Sequence, residues 1–363
     1  MSRIVISGYY GSKNAGDEAM LAAMLEVLEE LDPKLHITVI SADPRDTETR
    51  HHVASISWLN LPAIAWSLVR ADLLLSGGGS LLQNVTSRRS LYYYMGIIAM
   101  ARLFGARVML YAQGIGPIEG DLPRRMMRWL GNCVNLITVR DQGSLEELDR
   151  LGIKKPSIEC TADPVLGIRP VDRQIGASIL RDYEVDHTEP IVGISVRDWQ
   201  GWTHYKKVLA QTADRIVREL HARVVFLPMQ YPEDVNAARS IVETMQENCT
   251  VLKGDYTTRE FLSLVGNMDL MIGIRLHALI FAGVMGVPMI GISYDPKIDR
   301  FLASVGEHPA GDLQSVDADM LMEEIRRKWN DRDASLAGNA RLLVNLRRLA
   351  MRNAQLAVGL LDK

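Results

Sequence analysis

Arg275 and His277 stand two residues apart, between the apolar run Met271-Ile272-Gly273-Ile274 and a segment whose Leu279, Ile280, Phe281 and Val284 read as a helix. A strand end running into a helix start presents free N–H donors to an anion. Arginine adds a planar fork matched to phosphate or carboxylate. Histidine titrates near neutrality and moves protons. The pair reads as an anion-holding, proton-transferring centre; the competing reading is a surface arginine and a histidine satisfied in the core. Arg197 closes the run Gly193-Ile194-Ser195-Val196 in the same manner. Lys297 and Arg300 follow Tyr294-Asp295-Pro296 and are further cations for the same pocket, with a solvated helix face as the alternative for Lys297.

Glycine-rich segments follow several other apolar runs. Gly8-Tyr9-Tyr10-Gly11-Ser12-Lys13-Asn14-Ala15-Gly16-Asp17-Glu18 leads into the first helical pattern. Glycines let a backbone approach a ligand closely. Neither a phosphate-binding Gly-Lys-Ser/Thr nor the dinucleotide spacing is present. Asp17 and Glu18 suit a hydroxyl-bearing ligand such as a sugar, or serve as helix N-terminal charges; both readings stand. Ser76-Gly77-Gly78-Gly79-Ser80-Leu81-Leu82-Gln83-Asn84 reads as a second ligand loop, a plain turn being the alternative. Gln113-Gly114-Ile115-Gly116-Pro117 reads as a third, and Arg140-Asp141 closes a fourth strand.

The elements that must position these residues alternate. Strands are expected at residues 4–7, 37–41, 73–76, 107–112, 136–139 and 157–161. After a turn-rich stretch they resume at 191–196, 223–227, 250–252, 270–274 and 288–293. Amphipathic segments lie between, such as 17–31 with Met20, Met24, Val27, Leu28 and Leu31 at helical spacing. The alternation predicts an α/β protein of two Rossmann-like domains facing a central cleft, the glycosyltransferase-B architecture, with ligands at the C-terminal strand ends. The domains are expected at 1–168 (acceptor side) and 169–333 (anionic donor side), with a closing C-terminal helix over 334–363. A chain of 363 residues fits two domains.

A formal net charge of −3 gives no case for nucleic-acid binding. The three cysteines and the histidines show no metal spacing, so neither a metal nor a disulfide is expected, and a reducing, cytoplasmic location fits. No signal peptide or membrane span is read. Residues 87–104 combine Arg88, Arg89 and Arg102 with Tyr92, Tyr93, Tyr94, Ile97 and Ile98, as an interfacial membrane surface or an ordinary buried helix would.

Gly8-Tyr9-Tyr10-Gly11, Asn14, Gly16-Asp17-Glu18, the triple glycine, Gln113-Gly114-Ile115-Gly116-Pro117, Arg140-Asp141 and Arg275-Leu276-His277 together resemble the polysaccharide pyruvyl transferase family, in the expected order over nearly the whole chain. They look closest to its CsaB-type bacterial cell-wall members. The resemblance implies phosphoenolpyruvate as donor, with no cofactor. It implies a pyruvate ketal as product, commonly bridging the 4- and 6-hydroxyls of N-acetylmannosamine on a lipid-linked precursor. The pyruvylated polymer then anchors surface-layer proteins. A lipid-linked acceptor implies peripheral contact with the inner membrane face.

On this reading Arg275 and His277, with Asp17 and Glu18, carry the catalysis. Arg275, Leu276, Arg197, Lys297 and Arg300 hold the donor. Tyr10, Asn14, Gly16, Asp17, Gly78, Gly79, Gln83 and Gln113 face the acceptor. The competing readings are a sugar-nucleotide glycosyltransferase or epimerase of the same fold, whose diphosphate the Arg275 site would serve equally well, and a non-catalytic carbohydrate-binding module. The oligomeric state is left open.

Overall fold

Short apolar strands separated by helices fold into two all-parallel sheets in the computed structural model, which describes residues 2–85 and 87–361. The chain divides into two units. One comprises Met1–Ser12, Asp17–Ile168 and Leu346–Lys363; the other comprises Lys13–Gly16 and Arg169–Asn345.

In the first unit β1 (Arg3–Tyr10), α1 (Ala15–Leu31), β2 (His36–Ser41), α2 (Pro44–His51), β3 (Ala54–Ser57), α3 (Leu61–Val69) and β4 (Leu73–Leu82) follow one another. They continue through α4 (Arg88–Leu103), β5 (Arg107–Ile115), α5 (Asp121–Gly131), β6 (Leu136–Val139), α6 (Gln142–Leu151) and β7 (Ser157–Cys160). The sheet order is β3-β2-β1-β4-β5-β6-β7. The order reverses between β1 and β4, which is where doubly wound sheets open a ligand crevice. One apolar cluster unites α3, α4, α5 and α6 with the sheet through Ile64, Leu68, Ile97, Met127, Leu130 and Leu148. A second unites α1 with Ala354 and Ala357 of the C-terminal helix.

One expectation changes here, and one open alternative narrows. The triple glycine is not a loop. It lies inside β4, which runs on to Leu82. A Cβ on Gly78 would sit 2.7 Å from Met20 Sδ, and one on Gly77 would sit 2.6 Å from Tyr10 Oη. These glycines let α1 and Tyr10 press against the strand. Within residues 87–104, Arg88–Leu103 form α4, and Tyr94, Ile97 and Ile98 are core residues of it. Those three side chains are therefore spent on the interior and cannot make an interfacial surface.

The second unit holds α7 (Gln174–Asp182), β8 (Ile191–Ser195), α8 (His204–Leu220), β9 (Arg223–Phe226), α9 (Glu233–Val242), β10 (Thr250–Val251) and α10 (Thr258–Gly266). It continues with β11 (Leu270–Gly273), α11 (Leu276–Met285), β12 (Met289–Gly291), α12 (Pro296–Ser304) and α13 (Ala318–Asn330). Its sheet order is β10-β9-β8-β11-β12. The helix α14 (Arg332–Leu361) closes the described chain. No described helix is long and apolar enough to cross a membrane.

Candidate active site

Parallel pairing decides which residues meet at the C-terminal edge of the second sheet. Gly273 of β11 pairs with Ser195 of β8. Arg275 and Arg197 each lie two residues further on, at one height on neighbouring strands about 4.8 Å apart. Gly273 also pairs with Gly291 of β12, so the Tyr294 to Arg300 segment leaves the same edge.

Arg275 is the N-cap residue of α11 and makes no side-chain cap. Its guanidinium turns instead to Asp234 in the first turn of α9. Nε donates to Oδ2 at 2.9 Å and Nη2 to Oδ1 at 2.5 Å, a bidentate fork. Asp234 is fully buried and also accepts from the backbone N–H groups of Met229 and Gln230. Burial pushes its carboxyl above the ordinary value near 3.8, and the Arg275 charge and hydrogen bonds work against that rise. Arg275 Nη2 also donates to Gln230 Oε1 at 3.2 Å, and Asn14 Nδ2 reaches the same oxygen at 3.5 Å. Two N–H donors on Nη1 have no partner among the described residues. Arg275 is thus a cation held rigidly by a buried counter-ion, with donors left over for an anion. The uncapped N–H groups of α11 lie beside it.

His277 is half-buried in the first turn of α11. Its ring lies against Gly16: a Cβ there would sit 2.5 Å from Cγ and 2.9 Å from Cε1, and nearer still to Nδ1. Only glycine leaves that space. The segment Lys13–Gly16 is anchored to this unit by Ala15 N–H donating to Met229 O at 2.8 Å and Tyr231 N–H donating to Lys13 O at 3.3 Å. Asn14 Oδ1 accepts from Gly16 N–H at 3.0 Å. Asn14, Gly16, Gln230, Asp234, Arg275 and His277 therefore form one constellation.

Arg197 lies over the rings of Trp199 and Tyr294, at 4.8 and 4.9 Å from their centroids, and Nη1 donates to Tyr294 Oη. Lys297 Nζ is 5.4 Å from the Tyr294 centroid and 3.2 Å from Asp295 Oδ2. This gives an aromatic platform carrying two cations, one already paired. Arg300 is exposed, and the Leu276 side chain is buried. Leu276 can offer a ligand only its backbone.

In the first unit several expected contacts are structural. Tyr10 is 2% exposed in the α1–sheet core, and Gln113 is fully buried, with Nε2 donating to Ser76 O. Neither side chain is open to a sugar. Gly78 packs on Met20, as described. Glu18 is buried, accepts from Gly11 N–H at 2.8 Å and pairs with His51 Nε2 at 3.0 Å, so it braces the loop from within. Gln83 Oε1 accepts from Val85 N–H. Asp17 is half-buried; its charge raises the hydroxyl pKa of both Tyr10 and Tyr94, after burial as the larger cause. Gly79 has φ +90°, and a Cβ there would lie 3.4 Å from Asp17 Oδ1. At the ends of β4 and β6, Arg140 joins buried Asp163 at 2.9 Å and Ser80 Oγ at 3.1 Å.

Sequence reading missed Asp234, Gln230 and Trp199. The signal for the first two is positional: Met229-Gln230-Tyr231-Pro232-Glu233-Asp234 follows β9 on the edge that carries Arg275.

The polysaccharide pyruvyl transferase family model matches residues 14–296. No curated protein sequence matches the chain. Among solved structures, Staphylococcus aureus MnaA with UDP is 12% identical at a TM-score of 0.65, over 96% of this chain and 91% of that one. Anabaena Alr3699/HepE with UDP-glucose is 12% identical at 0.65 over the whole of both chains. Neisseria meningitidis UDP-GlcNAc 2-epimerase with UDP-GlcNAc is 10% identical at 0.66, again over the whole of both. At such identity the likeness concerns the fold alone, which is that of glycosyltransferase-B enzymes.

Proposed function

The chain belongs to the polysaccharide pyruvyl transferase family, and from that premise we propose that it transfers pyruvyl from phosphoenolpyruvate to a sugar, releasing phosphate. The acceptor we propose is N-acetylmannosamine of a lipid-linked cell-wall polymer precursor, ketalised at its 4- and 6-hydroxyls for surface-layer anchoring. The enzyme would then work in the cytoplasm, at the inner membrane face.

One observation carries the donor assignment. Arg275 is fixed by a bidentate bond to buried Asp234, retains donors on Nη1, and stands at an uncapped helix N-terminus. Such a pre-set cation suits a small, densely charged donor with a carboxylate and a phosphate. Arg197 on the next strand end supplies a second charge over Trp199 and Tyr294. In the reaction, the enol CH2 carbon takes a proton and one sugar hydroxyl bonds to the adjacent carbon. The C–O bond to phosphate breaks, and the second hydroxyl closes the ketal. Of the two hydroxyl protons, one replaces the proton delivered to carbon and the other leaves on phosphate. His277 is the proton carrier of this scheme. Asp17 is the better placed of the two acids for the acceptor side, because Glu18 is buried in its own bonds.

The test is mass spectrometry of a synthetic lipid-linked disaccharide incubated with phosphoenolpyruvate, with phosphate release read in parallel. Acceptor-dependent release and the ketal mass are expected from the wild type, and loss of most turnover in a folded His277→Ala. Turnover of a UDP-sugar with no ketal would refute the donor; near-normal transfer by His277→Ala would remove that residue from the mechanism.

A further inference from the structure

Helices α3, α4 and α5 pack side by side on one face of the seven-stranded sheet. Each satisfies the core with one stripe and leaves a second apolar stripe outside. On α5 the inward residues are Met127 and Leu130, while Leu122, Met126 and Trp129 fall at i, i+4 and i+7 on the outer side. Trp129 is 66% exposed. On α3, which carries no charged residue, Ile64 and Leu68 point inward, and Leu61, Trp66 and Val69 are exposed. On α4 no charge lies between Arg89 and Arg102, and Tyr92 and Leu103 are exposed. A surface helix ordinarily turns charge to water. Three adjacent helices with outward apolar stripes mark an interaction face.

The charges around these stripes are mostly positive. Residues 58–131 contain eight arginines, no lysine and three carboxylates, in a chain of net charge −3. Arg88, Arg89, Arg125 and Arg128 are exposed, with no ion pair among the described residues. Arg70 lies 4.7 Å from the Trp66 ring centroid. The neighbouring α6, by contrast, exposes Glu146 and Asp149. Exposed tryptophans among unpaired arginines complement an anionic bilayer, which takes aromatic rings at headgroup depth and attracts cations.

We propose that the outer face of α3, α4 and α5 is a peripheral docking surface for an anionic lipid bilayer. The proposal rests on this surface alone and is independent of which sugar is ketalised.

The test is co-sedimentation of the full-length protein with vesicles of phosphatidylcholine, and of phosphatidylcholine mixed with phosphatidylglycerol. Binding is expected to the mixed vesicles only, and to weaken about tenfold as salt screens the arginines. Trp66→Ser with Trp129→Ser, and separately Arg125→Glu with Arg128→Glu, should each lower partitioning about tenfold or more. These exposed positions leave the fold intact, as circular dichroism would verify, and turnover of a water-soluble acceptor should be unchanged. Equal binding to both vesicle types, no binding to either, or variants that bind like the wild type would overturn the proposal. So would a lipid-free dimer that Trp129→Ser dissociates, because the face would then belong to a second copy. None of the binding readouts uses pyruvyl transfer, so failure here and failure of the proposed reaction are separable.

Discussion

Gly16→Ala is the sharpest perturbation of the proposed site. Gly16 is the second residue of α1, where alanine ordinarily stabilises a helix by up to about 1 kcal/mol. Helix propensity alone therefore predicts a neutral or slightly more stable protein. The site geometry predicts otherwise. The added Cβ would sit 2.5 Å from His277 Cγ and 2.9 Å from Cε1, where carbon atoms rest at about 3.5 Å or more. Restoring contact moves the imidazole by about 1 Å, and a reacting group misplaced by that much loses on the order of a hundredfold in rate. The assay is acceptor-dependent phosphate release from phosphoenolpyruvate, with thermal melting as the control for folding. We expect a folded Gly16→Ala with turnover down about a hundredfold. In a His277→Ala background the ring is gone and Gly16→Ala should add little, a non-additivity measured under single-turnover conditions. Near-wild-type turnover by Gly16→Ala refutes the reasoning. A penalty that persists in full without His277 refutes it too, because the cause would lie in the loop and not in the ring.

Arg275→Lys keeps the charge but not the fork, so KM for phosphoenolpyruvate should rise at least about tenfold in a folded enzyme. Asp234→Asn keeps one oxygen for the donors on Oδ2 but turns an NH2 toward Arg275 Nη2. Burial already disfavours the Asp234 charge, so the stability loss should be modest, about 1–2 kcal/mol by thermal melting, while KM rises. The sign of its pH effect is fixed by the raised pKa: the native state holds this proton more tightly than the unfolded chain. Its contribution to stability is full below about 3.8 and declines as pH climbs through the raised value, and Asp234→Asn should remove that decline from a melting-versus-pH series. Glu18→Gln weakens the brace to Gly11 and His51 and should lower stability by about 1–2 kcal/mol, with less effect on turnover than Asp17→Asn.

Residues that announce themselves by local pattern were legible in the sequence. The apolar runs before Arg197 and Arg275 place both at strand ends, and β8 and β11 pair in the register that levels them. Long-range partners were not. Asp234 lies 41 residues before Arg275, and His51 lies 33 after Glu18. No local spacing reports either pairing. Three consecutive glycines read as a loop because glycine is poor strand material, yet tertiary packing against Met20 and Met24 overrides that preference. The short edge strand β3, Ala-Ser-Ile-Ser, has no apolar run to reveal it.

The opening loop, Gly8 to Glu18, reads in sequence as one ligand-facing element; in the structure it is divided by what each residue touches. Tyr10 fills the core, and Glu18 holds Gly11 and His51. Lys13 to Gly16 count instead with the second unit, through Met229, Gln230, Tyr231 and the His277 ring. Asn14 and Gly16 therefore touch the Arg275–His277 constellation. Gln230 Oε1 is the joint, since it accepts from both Asn14 and Arg275. If that joint positions the guanidinium, Asn14→Ala should shift KM for phosphoenolpyruvate in the same direction as Arg275→Lys while leaving KM for the sugar nearly unchanged. A change confined to the sugar would return Asn14 to the acceptor side and break the link between the loop and Arg275.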